Sequence, residues 1–316
     1  MDKIPSVDLR DFLSGEPERK QKFVNEIGKA YEEIGFVALK GHFLDDKLVS
    51  ELYGEVKNFF ELPTETKQKY EIPGIGGQRG YVGFGKETAK GFKKGDLKEF
   101  WHFGQYLSDD SKYKSEYPDN VIVDELPKFN EVGKEAYQML EKTGQYVLRA
   151  LALHLGLDEF YFDDKIAEGN SILRPIHYPP ITEEPDDAVR AAAHGDINLI
   201  TLLMGAQGKG LQVQNHKGEW IDAIAEPDEL MINVGDMLSR HTNNKLKSTI
   251  HRVVNPPREL WGTSRYSIPF FMHPVSGMSL NALENCVNEN NPKLYEDTTA
   301  GEFLHERLIE LGLIKK

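Results

Sequence analysis

The second half of the chain is a succession of short apolar runs, and this pattern constrains the fold more than any other feature. From Asn170 onward the runs are separated by clusters of Pro, Gly and Asn. Many short strands at regular spacing indicate a β-sandwich or barrel rather than alternating β-α-β units. The predicted strands are residues 172–173, 199–204, 211–213, 230–234, 250–254 and 266–272.

The first half of the chain has a helical pattern instead. Apolar side chains recur at helical spacing in three segments, and Pro17 suits a first helical turn. We therefore expect one integrated fold, mainly β with flanking helices. Residues 1–165 would form a helical and extended region, and residues 166–316 a β core with a last helix. The predicted helices are residues 17–34, 46–60, 128–155 and 300–311, with a strand at 36–39 and a glycine-rich loop at 71–95.

Charge and cysteine content limit the partners that we expect. The formal net charge is -13 and there is no basic tract, so the chain lacks the electrostatic pattern of a nucleic-acid or anionic-membrane binder. No apolar run approaches the ~20 residues that span a bilayer. Cys286 is the single cysteine, which excludes an internal disulfide and fits a reducing compartment. We expect a cytoplasmic protein with a small-molecule partner, and the sequence predicts no oligomeric state.

The triplet His194-Gly195-Asp196 is a candidate metal-binding motif. On an extended segment, positions i and i+2 point to the same side, so the imidazole and the carboxylate can converge on one ion. His251 lies within an alternating, strand-like run at 248–254 and can supply a third ligand. Two histidines and one carboxylate are the ligand set of an open non-haem iron(II) site. Zinc accepts the same set, so a zinc hydrolase is an alternative.

Arg265 and Ser267 follow at the start of the last predicted strand. They too are two residues apart and share a face of that strand. A guanidinium group binds a carboxylate through two parallel hydrogen bonds, and a hydroxyl adds a third. The pair therefore predicts a site for a carboxylate near the metal. Such a pair has no obvious purpose in a zinc hydrolase.

Taken together, these motifs resemble the iron(II)- and 2-oxoglutarate-dependent dioxygenase superfamily, in its isopenicillin N synthase-like branch. The resemblance spans nearly the whole chain, and the motifs occur in the family's order. The matching pieces are residues 4–9, 35–36, 59–60, 194–196, 199–203, 210–213, 232–237, 242–244, 247–253, 265–267 and 270–271.

The resemblance implies a double-stranded β-helix, or jelly roll, with the N-terminal helices packed on it. It implies His194, Asp196 and His251 as ligands of Fe(II). It also implies Arg265 and Ser267 as binders of the far carboxylate of 2-oxoglutarate, with Tyr178 in the co-substrate region. The implied reaction with O2 couples decarboxylation of 2-oxoglutarate to hydroxylation, desaturation or ring closure of a small molecule.

The sequence leaves two alternative functions open. Ile176 stands where many plant members carry asparagine, which keeps open an iron oxidase of the isopenicillin N synthase type that takes no 2-oxoglutarate. A non-catalytic, metal-binding jelly-roll protein is the other alternative. The substrate site is expected beside the glycine-rich loop. Its candidate lining residues are His102, Phe103, Leu211, Val213 and Phe271.

Overall fold

The structure is a computed structural model that describes residues 3–86, 97–182, 190–205 and 210–310. Its helices lie mostly in the first half of the chain, as the sequence predicts. None of the helices among these residues is both long and apolar enough to cross a membrane. The helices are α1 (Leu9–Phe12), α2 (Pro17–Glu33), α3 (Asp46–Phe60), α4 (Thr64–Gln68), α5 (Pro127–His154), α6 (Asp163–Ile166), α7 (Asp236–His241) and α8 (Ala300–Glu310).

The strands are short, and most of them lie after residue 170. Every strand predicted from the sequence is present, with its ends within about two residues of the prediction. The strands are β1 (Ser6–Asp8), β2 (Phe36–Lys40), β3 (Gly80–Val82), β4 (Glu99–Gly104), β5 (Ile172–Leu173), β6 (Ile176–Tyr178), β7 (Ala191–His194), β8 (Ile200–Met204), β9 (Leu211–Gln214), β10 (Trp220–Asp222), β11 (Leu230–Val234), β12 (His251–Val253) and β13 (Arg265–Met272).

These strands form two sheets. The major sheet has nine strands in the order β1-β2-β11-β8-β13-β5-β4-β3, with β6 paired to both β13 and β4. The minor sheet has the order β10-β9-β12-β7. Neighbouring strands are antiparallel except for the parallel pair β1 and β2. The two sheets form the expected jelly roll.

The major sheet buries both of its faces. On one face it packs against α2, α3 and α5, and alternate residues of each strand point into this helix-side core. Val37 of β2, Ile232 of β11 and Phe270 of β13 are among these residues, and none of them is more than 1% exposed. The opposite, inter-sheet face of the same strands points toward the minor sheet, where Ala38, Met231 and Val213 form a second apolar cluster.

The long helix α5 approaches the major sheet closely because it carries glycine at two contact points. A Cβ at Gly133 would lie 2.3 Å from the Phe103 ring, and one at Gly144 would lie 2.5 Å from the Met272 sulfur. Close packing of this helix thus fixes β4 and β13 from the helix side.

The first 165 residues are more than a helical attachment to the β core. They supply β1 to β4, and β2 is hydrogen-bonded directly to β11. The expected boundary between residues 165 and 166 falls inside α6. The division therefore marks a change in composition along the chain, while the major sheet extends across it.

Candidate metal centre

His194, Asp196 and His251 converge on the inter-sheet face. His251 on β12 pairs directly with His194 on β7, so both imidazoles share one face of the minor sheet. Oδ1 of Asp196 lies 3.8 Å from Nε2 of His194 and 3.7 Å from Nε2 of His251. One ligand atom from each residue lies within 4.8 Å of the others. The residues expected from the triplet and from the distant histidine are therefore brought together.

Hydrogen bonds aim the three ligand atoms at a common point. Nδ1 of His194 lies 2.6 Å from the Ala192 carbonyl oxygen, and Nδ1 of His251 lies 3.2 Å from that of Thr249. A carbonyl accepts only from a protonated ring nitrogen, so both Nε2 atoms keep free lone pairs. Such bonds to the remote nitrogen are typical of metal-binding histidines.

The carboxylate of Asp196 is oriented in the same way. Its Oδ2 accepts a hydrogen bond from Thr201 Oγ1 at 2.7 Å and another from Asn233 Nδ2 at 2.8 Å. These donors lie on adjacent strands, where Asn233 of β11 pairs with Thr201 of β8. Oδ1 is left to face the two imidazoles. Because both hydrogen bonds go to Oδ2, Oδ1 is the oxygen that can bind a metal.

The protonation states suit a metal ion. Burial and the nearby His251 lower the pKa of His194 to about 4, although its side chain is the most open of the three at 45% exposure. Burial alone would raise the pKa of Asp196, but His251, His194 and the bonds from Asn233 and Thr201 outweigh burial and lower it. A neutral imidazole and an ionised carboxylate are the forms that bind a cation. The donor set therefore fits Fe(II).

Arg265 and Ser267 lie on the inter-sheet face of β13. Arg265 pairs with Tyr178 of β6, and its guanidinium carbon lies 5.4 Å from the Tyr178 ring centroid. Nη2 of Arg265 donates to the Gly205 carbonyl oxygen at 3.4 Å, whereas its buried Nη1 has no hydrogen-bond partner in the described part of the chain. A buried N–H of a charged group without a partner is costly. This donor is suited to an anionic ligand.

Ile176 occupies the position of the plant-type asparagine. It pairs with Ser267 and packs with Phe100 and Tyr178 in a small apolar cluster. The side chain of Ile176 can donate no hydrogen bond to a ligand, so any polar contact with a co-substrate comes from its neighbours.

Phe271 lies opposite a residue that contacts Asp196, one of the candidate metal ligands. It pairs with Thr201, which holds Asp196, and the two residues share a sheet face. The Arg174 guanidinium carbon lies 5.1 Å from the centroid of the Phe271 ring. His102 accepts a hydrogen bond from Arg174 Nε at 2.5 Å, while its other ring nitrogen contacts the Gly77 carbonyl oxygen at 2.7 Å. Phe271 and His102 are therefore connected through Arg174.

The other predicted lining residues lie in the two apolar cores. Phe103 points to the opposite face of β4, where it packs on Phe129 and over Gly133 in the helix-side core. That expectation is wrong, because adjacent residues of a strand face opposite sides and His102 already takes the inter-sheet side. Leu211 and Val213 are buried in the inter-sheet core, and Val213 pairs with His251.

Sequence reasoning missed several polar groups around the site. Thr201 and Asn233 lie inside apolar strands, and a polar residue at an otherwise buried strand position was the available signal. Arg174 and Arg190 gave no local signal, because Arg174 stands beside a proline and Arg190 beside a run of alanines, without a recognisable spacing.

Comparison with known proteins places this site in a family. Residues 4–125 match the family model described as "non-haem dioxygenase in morphine synthesis N-terminal", and residues 169–274 match the 2OG-Fe(II) oxygenase superfamily. The 2-oxoglutarate-dependent dioxygenase frbA of Dothideomycetidae sp. (strain 11243) is 32% identical, over 97% of this chain and 96% of its own. The chain belongs to the iron(II)- and 2-oxoglutarate-dependent oxygenase superfamily.

Two solved structures show the same likeness in three dimensions. A 2OG-Fe(II) oxygenase family protein from Caulobacter crescentus is 43% identical with a TM-score of 0.90, over 98% of this chain and 100% of its own. A full-length Neurospora crassa protein, solved in complex with alpha-KG, is 30% identical with a TM-score of 0.84, over 97% and 96% of the two chains. The protein is thus an oxygenase that uses Fe(II), 2-oxoglutarate and O2, as the resemblance of its motifs implied.

Proposed function

We propose that His194, Asp196 and His251 hold the iron, and that Arg265 and Ser267 bind the distal carboxylate of 2-oxoglutarate beside Tyr178. The observation that carries this assignment is the buried Nη1 of Arg265 without a hydrogen bond in the described structure. Arg265, Ser267 and Phe271 alternate along one face of β13, and Phe271 pairs with Thr201 beside the metal ligands. A ligand lying along this face can therefore contact Arg265 at one end and the iron at the other.

The bound iron and 2-oxoglutarate supply the oxidising chemistry, in which O2 is consumed and 2-oxoglutarate becomes succinate and carbon dioxide. The chain positions the reactants. Arg265 fixes the length and direction in which 2-oxoglutarate can lie, through charge-assisted hydrogen bonds. Leu211 and Val213 form an apolar wall behind His251, which keeps water from that side of the metal.

We infer hydroxylation of a small molecule that lies against Phe271 and His102. The Phe271 ring offers an apolar contact next to the metal, and Arg174 with His102 offers polar groups at its edge. The net charge of -13 disfavours nucleic acid as the substrate. A single, buried Cys286 is compatible with a reducing compartment such as the cytoplasm.

The co-substrate assignment is tested by anaerobic titration of the iron-loaded protein with 2-oxoglutarate. We expect a weak visible charge-transfer band in the wild type. Arg265→Ala should weaken 2-oxoglutarate binding at least tenfold, because it removes the charged partner of the distal carboxylate. Arg149→Ala, which breaks an ion pair with Asp163 on the helix side, is the matched control and should titrate like the wild type.

An Arg265→Ala variant that titrates like the wild type would show that another group anchors 2-oxoglutarate. The reaction outcome is tested separately, by mass spectrometry of cell-extract metabolites incubated with the enzyme. Products gaining 16 mass units only when iron and 2-oxoglutarate are both added indicate hydroxylation. Products losing two mass units indicate desaturation or ring closure and contradict the inferred outcome.

A further inference from the structure

Arg190 is a buried arginine close to the proposed 2-oxoglutarate site. It immediately precedes β7, the strand that carries His194, and it is only 5% exposed. Its Nε and Nη2 atoms have no hydrogen-bond partner among the residues that the structure describes. No salt bridge to Arg190 is found in that part of the chain either, so its charge is buried without compensation there.

Tyr178 brings Arg190 and Arg265 together. The guanidinium carbon of each arginine lies 5.4 Å from the centroid of the Tyr178 ring. Arg190 comes from the minor-sheet side of the jelly roll, whereas Arg265 belongs to β13 of the major sheet. Two elements from different sheets thus direct guanidinium groups at the same aromatic side chain.

A buried guanidinium group beside a second, partly buried one favours the binding of an anion between them. Burial, and then the charge of Arg265, lower the pKa of Arg190. An uncompensated buried charge destabilises a fold strongly unless an opposite charge accompanies it. Between them the two guanidinium groups have three buried N–H positions without a hydrogen bond in the described structure, namely Nε and Nη2 of Arg190 and Nη1 of Arg265.

We propose that Arg190 is a second anion-binding residue of the co-substrate site, which contacts the distal carboxylate of 2-oxoglutarate together with Arg265. The proposal rests on the proposed function of that site. A carboxylate offers about four acceptor positions. Arg265 and Ser267 can use about three of them, which leaves room for one donor from Arg190. Arg190 is thereby a binding residue that makes the site selective for a dicarboxylate.

The test compares two ligands that differ only in the distal carboxylate. 2-Oxoglutarate has this group, and 2-oxopentanoate has a methyl group in its place. Their dissociation constants are measured anaerobically with the iron-loaded protein, in the wild type and in Arg190→Gln. We expect Arg190→Gln to weaken 2-oxoglutarate about tenfold or more and to leave 2-oxopentanoate unchanged, because only the first ligand offers a charge to Arg190.

Thermal unfolding of the ligand-free protein gives a second readout. Removal of an uncompensated buried charge should leave the melting temperature of Arg190→Gln unchanged or raise it. A purely structural arginine would instead lower it. Arg252→Gln is the control, since Arg252 lies on β12 against Trp220 and Gln212, and it should leave both dissociation constants unchanged.

Three results would overturn the proposal. The first is equal weakening of both ligands by Arg190→Gln, which would mean a structural role. The second is unchanged binding of both ligands in Arg190→Gln, which would mean that Arg190 does not contact 2-oxoglutarate and is available to an anionic group of the prime substrate. The third is a wild type that binds 2-oxoglutarate no better than 2-oxopentanoate, which would refute the proposed co-substrate anchor itself and the role of Arg190 with it.

Discussion

Thr201 and Asn233 show how single side chains prepare the metal site. Both donate hydrogen bonds to Oδ2 of Asp196, whereas Oδ1 is the oxygen that faces the two imidazoles. Without them the carboxylate could rotate and offer either oxygen. Residues that orient a metal ligand contribute to affinity without touching the ion.

Thr201→Val tests this orienting role. The substitution keeps the shape of the side chain and removes the hydroxyl that donates to Asp196. We expect iron affinity to fall about 10–100-fold, in line with the loss of a hydrogen bond to a metal ligand. The measurement is anaerobic competition for Fe(II) against a chelator of known affinity.

Thr143→Val is the matched control, because Thr143 is equally buried but donates to the Met139 carbonyl on α5. It should bind Fe(II) like the wild type. If Thr201→Val also retains wild-type affinity, Asp196 is held by other means and the orienting role is refuted.

At this scale the sequence indicated the proposed ligands but not the groups that position them. His194 and Asp196 were predictable because i,i+2 spacing on an extended segment has a direct geometric meaning. Thr201 and Asn233 come from two other strands, and only the register between β8 and β11 brings them to one oxygen. Register between distant strands has no local signal, so these contacts could not be derived.

Among the secondary-structure elements, helix α5 sets the position of the major sheet. Gly133 lets the helix lie directly on the Phe103 ring. Gly133→Ala should therefore force the helix or the ring to move, and we expect it to lower the free energy of unfolding by about 1–3 kcal/mol. Chemical denaturation measures this change.

Gly54→Ala on α3 is the opposite case, because a Cβ there meets nothing within 4 Å. Alanine is the better helix former, so this control should stabilise the protein by about 0.5–1 kcal/mol. Stabilisation by both substitutions would show that α5 does not pack as closely as described.

A buried ionic cluster ties four elements together on the helix-side face. Glu99 of β4 accepts hydrogen bonds from Lys67 of α4 at 2.7 Å, from Tyr81 of β3, and lies 2.8 Å from Nδ1 of His177 on β6. Burial alone would raise the pKa of Glu99, but the bonds from His177, Lys67 and Tyr81 outweigh it and lower the pKa. His177 precedes Tyr178, so this cluster also holds the strand of the proposed co-substrate site.

Glu99→Gln should destabilise the protein by about 3 kcal/mol at neutral pH, because it leaves Lys67 buried without its charged partner. The folded pKa of Glu99 lies below its ordinary value of 4.5, so ionisation favours the folded state above that value. The difference between wild type and variant should therefore shrink as the pH falls below about 4.5. Denaturant unfolding over a pH series measures it.

Glu61→Gln removes an exposed partner of Lys57 and should change stability by less than about 0.5 kcal/mol at any pH. A Glu99→Gln deficit that persists unchanged down to pH 3 would show that the Glu99 charge is not what stabilises the cluster.

Most elements could be predicted from periodicity, since α3 and β11 begin and end at the residues expected. Periodicity could not predict which face of the sheet each side chain of β4 lies on. Phe103 was placed in the substrate site, although His102 and Phe103 necessarily face opposite sides and only the packing of α5 decides which one is inside.

The whole molecule brings together groups that are far apart in the chain. The proposed ligands of iron and of 2-oxoglutarate come from β6, β12, β13, β7 and the segment just after β7, and these strands belong to both sheets. A ligand that contacts both sheets binds only the folded protein, so it stabilises the fold as a unit.

Addition of Fe(II) and 2-oxoglutarate without O2 should therefore raise the melting temperature. At a ligand concentration of about 100 times the dissociation constant, the gain is about 2.7 kcal/mol, which corresponds to about 3–6 °C for a chain of this size. Differential scanning calorimetry under anaerobic conditions measures the shift. Its absence with both ligands present would mean that the site does not form in the folded protein.

The central claim is that His194, Asp196 and His251 hold the iron that oxidises 2-oxoglutarate. The most direct measurement is succinate formation from 2-oxoglutarate under air, with and without added Fe(II), in the wild type and in Asp196→Ala. We predict iron-dependent succinate in the wild type and its loss in the variant, because two imidazoles without the carboxylate bind Fe(II) weakly. Undiminished succinate formation by Asp196→Ala would contradict the account.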